Sequence, residues 1–166
     1  MFKWLGGILI VISGTAIGRA KARQLKMHLE QLEEVRKCIF MIKSEMQHTR
    51  STFETIFEEV STKQEHIARK WLMEISQELK KQKASSFVEI WEAVTKKMWD
   101  NSYVKEEEVV ELQKLGQNLE YTECMETYLE QLEYNINHRR EEYEKKMKIY
   151  QCLGITGGIF LAVVLF

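Results

Sequence analysis

The fold of this chain follows from one stretch, Leu25 to Met46, which is LKMHLEQLEEVRKCIFMIKSEM. Its apolar residues recur at every third or fourth position, and this spacing puts them on one side of an α-helix. The stripe is Leu25, Leu29, Leu32, Val35, Ile39, Ile42 and Met46. The stretch therefore predicts an amphipathic helix of at least six turns with one face in a core.

The composition of the whole chain favours helices as well. None of the 166 residues is proline, and the 8 glycines lie mostly near the two ends. Similar apolar stripes follow as far as a long last helix that begins near Met125. We predict an all-α fold, one antiparallel bundle of about six helices in which the first and last helices are the longest.

Short sequence signals predict where these helices begin and end. A Ser followed three residues later by Glu or Gln can form a capping box at a helix start. The pairs are Ser51 with Glu54, Ser61 with Gln64, and Ser86 with Glu89. Gly116 follows the apolar stripe of the fifth helix, so we predict that it closes that helix in a left-handed conformation.

Both ends of the chain are apolar. Residues 5–18 and 151–166 contain no Asp, Glu, Lys, Arg or His, and each end approaches the roughly 20 residues that span a bilayer. The basic flanks lie on the inner side of both ends and predict a cytoplasmic middle. We therefore predict transmembrane anchors at 1–18 and 149–166 around a cytoplasmic helical bundle at 19–148.

Other features of the two ends bear on processing and packing. Lys3, the apolar run and the small residues near Ala16 also resemble a signal peptide, so a secreted or membrane-surface helical protein with a cleaved first segment is an alternative. Small residues four apart allow close helix packing in membranes. These membrane-helix packing candidates are Gly14 with Gly18, and Gly154 with Gly158.

The sequence offers little for catalysis or for ligand binding. The four histidines are scattered, and the three cysteines lack the CxxC spacing of metal or redox sites. No phosphate-binding loop or nucleophile elbow is present. With a formal net charge of -1, we predict no enzyme activity, no metal, no cofactor, no small-molecule substrate and no nucleic-acid partner.

Acidic residues form a ridge on the predicted last helix. Their spacing of three or four stacks Glu123, Glu126, Glu130 and Glu133 on one side. The ridge is either a solvated face opposite the core or a docking surface for a basic partner.

Several segments resemble one protein family along essentially the whole chain. They are the opening Met1 to Gly6, the stretch Ile42 to His48, Trp91-Glu92 with Lys96 to Trp99, Leu115 to Leu119, and the lysine-rich approach to a glycine-containing end at Lys145 to Gly158. In this order the segments resemble stage III sporulation protein AB. The family has Pro-Leu after the first long helix, where this chain has Thr52-Phe53, so the resemblance does not extend to that turn.

This resemblance implies a function that the residues alone do not. It implies a non-enzymatic platform in the assembly of the channel between mother cell and forespore, located in the outer forespore membrane. The helical domain would face the mother-cell cytoplasm. It is also similar to the cytoplasmic domains of type II secretion and type IV pilus platform proteins. The implied partners are a companion secretion-type ATPase and other stage III sporulation channel proteins.

The turn after the first long helix is the main candidate for contact with the ATPase. The partner-binding candidates there are Glu45, Gln47, His48, Arg50 and Glu54. The alternative is that these are ordinary polar residues at a helix end. A membrane-tethered regulator that binds a soluble signalling partner is a further alternative for the protein as a whole.

Overall fold

The chain forms six α-helices in a computed structural model that describes residues 2–49, 51–81 and 85–165. Side chains are described for 20–49, 51–81 and 85–149. The helices are α1 (Phe2–His48), α2 (Phe53–Thr62), α3 (His66–Lys80), α4 (Phe87–Trp99), α5 (Glu106–Gly116) and α6 (Thr122–Leu165). The described ranges contain no β-strand, so the predicted all-helical architecture is confirmed.

The backbone divides into two compact units. The terminal unit contains Met1–Leu29 and Asn137–Phe166, and the central body is Glu30–Ile136. Their charges differ in sign, because the terminal unit has ten Lys and Arg against three Glu, whereas the body has 14 against 22 Asp and Glu. The net charges are therefore +7 and -8. The predicted domain boundaries at 18/19 and 148/149 stay predictions.

The capping signals were right for one helix and wrong for two. At the start of α4, Ser86 Oγ accepts from the Glu89 N–H at 3.3 Å and Glu89 Oε2 accepts from the Ser86 N–H at 3.1 Å. Helix α2 instead begins after Thr52, without a side-chain cap. Ser61 lies inside the last turn of α2, where its hydroxyl donates to the Glu58 carbonyl at 2.6 Å. That hydrogen bond makes Ser61 part of a helix end.

The central body is built around three tryptophans. Trp71, Trp91 and Trp99, from α3 and α4, are fully buried. The Trp71 ring meets the Trp91 and Trp99 rings edge-on, with centroids 5.1 and 5.7 Å away. Buried apolar residues of α1 surround the same core, namely Leu32, Val35, Ile39 and Ile42. The burial that the apolar stripe predicted for α1 is confirmed at these positions.

Gly116 does not act as a left-handed helix end. It is the last residue of α5, and no described glycine has a positive φ angle. The reason for a glycine is packing, since a Cβ atom at this position would lie 2.1 Å from Cδ1 of Trp91. The predicted conformation was wrong, because the glycine gives room to an aromatic ring.

The two apolar ends belong to α1 and α6 by their backbone. The predicted spanning segments lie, apart from Ile149, outside the residues whose side chains the structure describes. The same holds for Gly14, Gly18, Gly154 and Gly158. Within the residues that the structure describes, no helix has a stretch long and apolar enough to cross a membrane.

Candidate functional site

The turn between α1 and α2 is fixed by Glu45 near the end of α1. Its carboxylate accepts a hydrogen bond from Lys63 Nζ at 2.9 Å, and its carbonyl accepts from the Thr49 N–H at 2.8 Å. The hydrogen bonds that Lys63 donates to Glu45 and Glu59 raise the pKa of Lys63. Because the Glu45 carboxylate pairs with Lys63 at the end of α2, a substitution at Glu45 would remove this ion pair together with any partner contact.

The other four candidates of this turn differ in exposure. Gln47 and His48 are exposed at the end of α1. Glu54 is half-buried, and its carbonyl accepts a hydrogen bond from Ser76 Oγ at 2.9 Å. Arg50 lies outside the described residues. Gln47 and His48 are therefore the positions at which a partner contact can be tested with the least effect on the fold.

Two of the four glutamates in the acidic ridge of α6 form ion pairs with α1. Glu133 accepts from Arg36 at 3.1 Å, and Glu126 forms an ion pair with Lys43 of α1. These two glutamates join α6 to α1. The remaining two, Glu123 and Glu130, are exposed and form no ion pair within the described ranges. Arg36 and Lys43 are seven residues apart, as are Glu133 and Glu126, and this matched spacing was the sequence signal for the pairing.

A polar cluster that the sequence did not predict lies where α1 meets the start of α3. One carboxylate oxygen of Glu34 is buried without a hydrogen-bond partner among the described residues. His66 begins α3 with a φ angle of 48°, in the left-handed region. Burial raises the pKa of Glu34 above its usual value near 4.5, and the His66 charge opposes this rise. Burial also raises the pKa of the Cys38 thiol to about 12.

Glu34→Gln should make the protein more stable at neutral pH and remove the fall in stability with rising pH that this carboxyl contributes. A carboxyl whose folded pKa is raised binds its proton more tightly in the folded state. Stability therefore falls as pH rises from about 4.5 through the folded pKa. Glutamine removes the charge from this buried oxygen and with it that slope. Chemical denaturation of both proteins at pH 4 and pH 7.5 measures the effect, and equal slopes would contradict the assignment.

The described residues define an all-helical protein, in whose central body two ion pairs join α1 to α6. No group of three potential metal ligands occurs among the described residues. The chain belongs to the stage III sporulation protein AB family, because the model of that family matches residues 3–166. This is a family of sporulation proteins.

Two relatives agree with this assignment. The Stage III sporulation protein AB of Bacillus subtilis (strain 168) is 23% identical over 174 aligned positions, which cover 99% of each chain. A solved structure of Stage III sporulation protein AB (SpoIIIAB) has a TM-score of 0.65 and 18% identity. It covers 71% of this chain and 97% of its own. At that identity the structural likeness supports the fold, and the family match supports a sporulation-related role.

Proposed function

We propose that this chain is a non-enzymatic, membrane-anchored platform for assembly of the sporulation channel between mother cell and forespore. Its helical body docks a companion secretion-type ATPase from the mother-cell cytoplasm, and its two ends anchor it in the outer forespore membrane. Other stage III sporulation channel proteins are the remaining partners. The sporulation role of the family supports a place in this channel. The resemblance of the helical domain to secretion platform proteins supports the docking of an ATPase.

One observation carries the proposal. Helices α1 and α6 run as single helices between the apolar ends and the central body, from Phe2 to His48 and from Thr122 to Leu165. Each of these helices contains residues of an apolar end and residues of the central body. The opposite charges of the two units agree with this arrangement, since anionic lipid attracts basic juxtamembrane segments.

Added positive charge at the turn between α1 and α2 should weaken ATPase docking, because the negatively charged body is complementary to a basic partner surface. Gln47→Lys with His48→Lys alters two exposed residues and leaves the Glu45–Lys63 ion pair in place. We expect the amount of ATPase that co-purifies with the full-length chain from sporulating cells to fall about tenfold. The unfolding free energy should change by under about 0.5 kcal/mol, because both residues are on the surface.

The matched control for that experiment is Glu107→Gln with Glu111→Gln, two exposed positions on α5 that give the same change in net charge. These substitutions alter the charge of the body and leave the turn unchanged. They should leave co-purification within about twofold of the unaltered chain, as expected for surface positions outside an interface. Unchanged recovery of the ATPase with the Gln47 and His48 variants would remove this turn from the interface.

The topology of the proposal is tested by thiol labelling. A cysteine at Gln82 should resist a membrane-impermeant thiol reagent in intact cells, because the basic flanks of both ends predict a cytoplasmic middle. The exposed Cys124 and the terminal Cys152 are first replaced by serine, whereas the buried Cys38 stays protonated and unreactive. Permeabilised cells provide the positive control. Strong labelling of intact cells, or loss of the first 16 to 18 residues from the mature protein, would contradict the topology.

A further inference from the structure

Phe40 is a large apolar side chain in an unusual position on α1. It is 60% exposed. It lies four residues after Arg36 and three before Lys43, and these spacings place all three on one side of the helix. Both flanking residues reach α6 through ion pairs. A single exposed phenylalanine is ordinary on a protein surface, but this one lies between two paired residues at a helix–helix seam.

The two ion pairs fix the register of the seam. From Arg36–Glu133 to Lys43–Glu126, each helix advances seven residues in opposite directions, which is about 10.5 Å at 1.5 Å per residue. The position on α6 between the paired glutamates, on the same stripe, is Glu130. By this register Phe40 of α1 and Glu130 of α6 fall between the two ion pairs. We call the two ion pairs the outer rungs of the seam, and Phe40 with Glu130 the middle rung.

The middle rung lacks the cation that the outer rungs have. In each outer rung a basic side chain of α1 meets a glutamate of α6, whereas in the middle rung an aromatic ring takes the place of the base. Glu130 is exposed and has no ion pair within the described ranges. An added cation at this point would meet a carboxylate and a ring face together. Such a cation gains from both the ion pair and the cation–π attraction.

The charge of the body decides which occupant fits. The net charge of residues 30–136 is -8, from 14 Lys and Arg against 22 Asp and Glu. The central body of a second copy would bring a like net charge to the seam, which is unfavourable, whereas a basic surface is complementary. Arginine suits the rung well because its planar guanidinium both stacks on aromatic rings and pairs with carboxylates.

We infer that the middle rung, Phe40 with Glu130, anchors a basic partner protein that inserts an arginine or lysine between them. Gln47 lies seven residues beyond Phe40 on the same side of α1. The middle rung and the turn between α1 and α2 therefore belong to one surface. The inference depends on the proposed function only for the identity of the partner. The register of α1 and α6, the exposure of Phe40 and Glu130, and the charge of the body support this surface by themselves.

Photocrosslinking of the full-length chain in sporulating cells tests this inference. Phe40 is replaced by the photoreactive residue p-benzoylphenylalanine, and in a control chain Tyr121, which is 63% exposed, is replaced in the same way. We expect an ultraviolet-dependent protein adduct at position 40 and none at position 121. Mass spectrometry of the crosslinked peptide should place an arginine or lysine at or next to the site of attachment.

Charge substitutions on α6 make the test specific. Glu130→Lys should reduce the adduct at position 40 about tenfold, because a lysine at position 130 would repel the basic side chain of the partner. Glu130→Gln keeps the side-chain shape and should reduce the adduct by a smaller factor. Glu123→Lys, at another exposed position of the same ridge, should leave the yield within about twofold.

The remaining outcomes separate this inference from the proposed function. An adduct with a second copy of this chain or with phospholipid, an adduct insensitive to Glu130→Lys, or no adduct at all would overturn the middle rung as an anchor. An adduct with a basic segment of a protein other than the ATPase would support the rung and show that the ATPase is not its occupant. ATPase recovery that depends on Gln47 and His48 would leave the proposed function standing in every case.

Discussion

Trp91→Ala should lower the free energy of unfolding by about 3 to 5 kcal/mol, the usual cost of removing a large buried aromatic side chain. The Trp91 side chain is fully buried, and its indole N–H donates to the Leu112 carbonyl at 2.9 Å. Its ring lies 5.9 Å from the Phe57 ring and 5.1 Å from the Trp71 ring, centroid to centroid. The substitution removes contacts between α4 and three other helices, α2, α3 and α5.

Thermal unfolding of the purified full-length protein, followed by circular dichroism, measures this loss. For a chain of this size a loss of 3 to 5 kcal/mol lowers Tm by about 6 to 20 °C. The matched control is Tyr121→Ala, which removes an aromatic ring that is exposed and should change stability by under about 0.5 kcal/mol. Equal melting temperatures for the two variants would show that Trp91 contributes little to the core.

The helices could be predicted because burial has the period of the helix. Of the stripe that predicted α1, Leu29, Leu32, Val35, Ile39 and Ile42 are buried, while the outer members Leu25 and Met46 are only half-buried. Apolar periodicity records which side of a helix avoids water, and this depends little on which neighbour covers it. The long helices and the burial of Trp91 follow from this local information.

The helix ends were harder to predict because short polar motifs have more than one use. The Ser61 hydroxyl bonds to the carbonyl of Glu58 within its own helix, whereas the Ser86 hydroxyl accepts from the N–H three residues ahead. Both patterns are local hydrogen bonds open to serine. Which one forms depends on where the neighbouring helices require the chain to turn, and the motif does not contain that information.

The candidate site depends on contacts between residues far apart in sequence. Glu45 was predicted as a surface residue, yet it pairs with Lys63, 18 residues away. The ridge was predicted as one uniform face, yet Arg36 and Lys43 pair with two of its four glutamates. A single helix shows which residues share a side, and only the register of two packed helices shows which of them are neutralised.

Gly116→Ala should destabilise the protein by about 2 kcal/mol, although alanine is the better helix former. A Cβ atom here would lie 2.1 Å from Cδ1 and 2.5 Å from Cγ of Trp91, far inside van der Waals contact. The indole cannot move aside freely, because its N–H is bonded to the Leu112 carbonyl. Overpacking of this kind costs about 1 to 3 kcal/mol or more, which exceeds the gain of up to about 1 kcal/mol in helix propensity.

A double-mutant cycle with Trp91→Ala shows whether the ring is the cause. In the Trp91→Ala background the clashing atoms are absent, so Gly116→Ala should have little cost or stabilise through helix propensity. Lys114→Ala, at an exposed position of α5, should change stability by under about 0.5 kcal/mol in both backgrounds. If Gly116→Ala lowered the unfolding free energy equally with and without the indole ring, the clash would be with a residue other than Trp91. The packing of α5 on α4 would then need a different explanation.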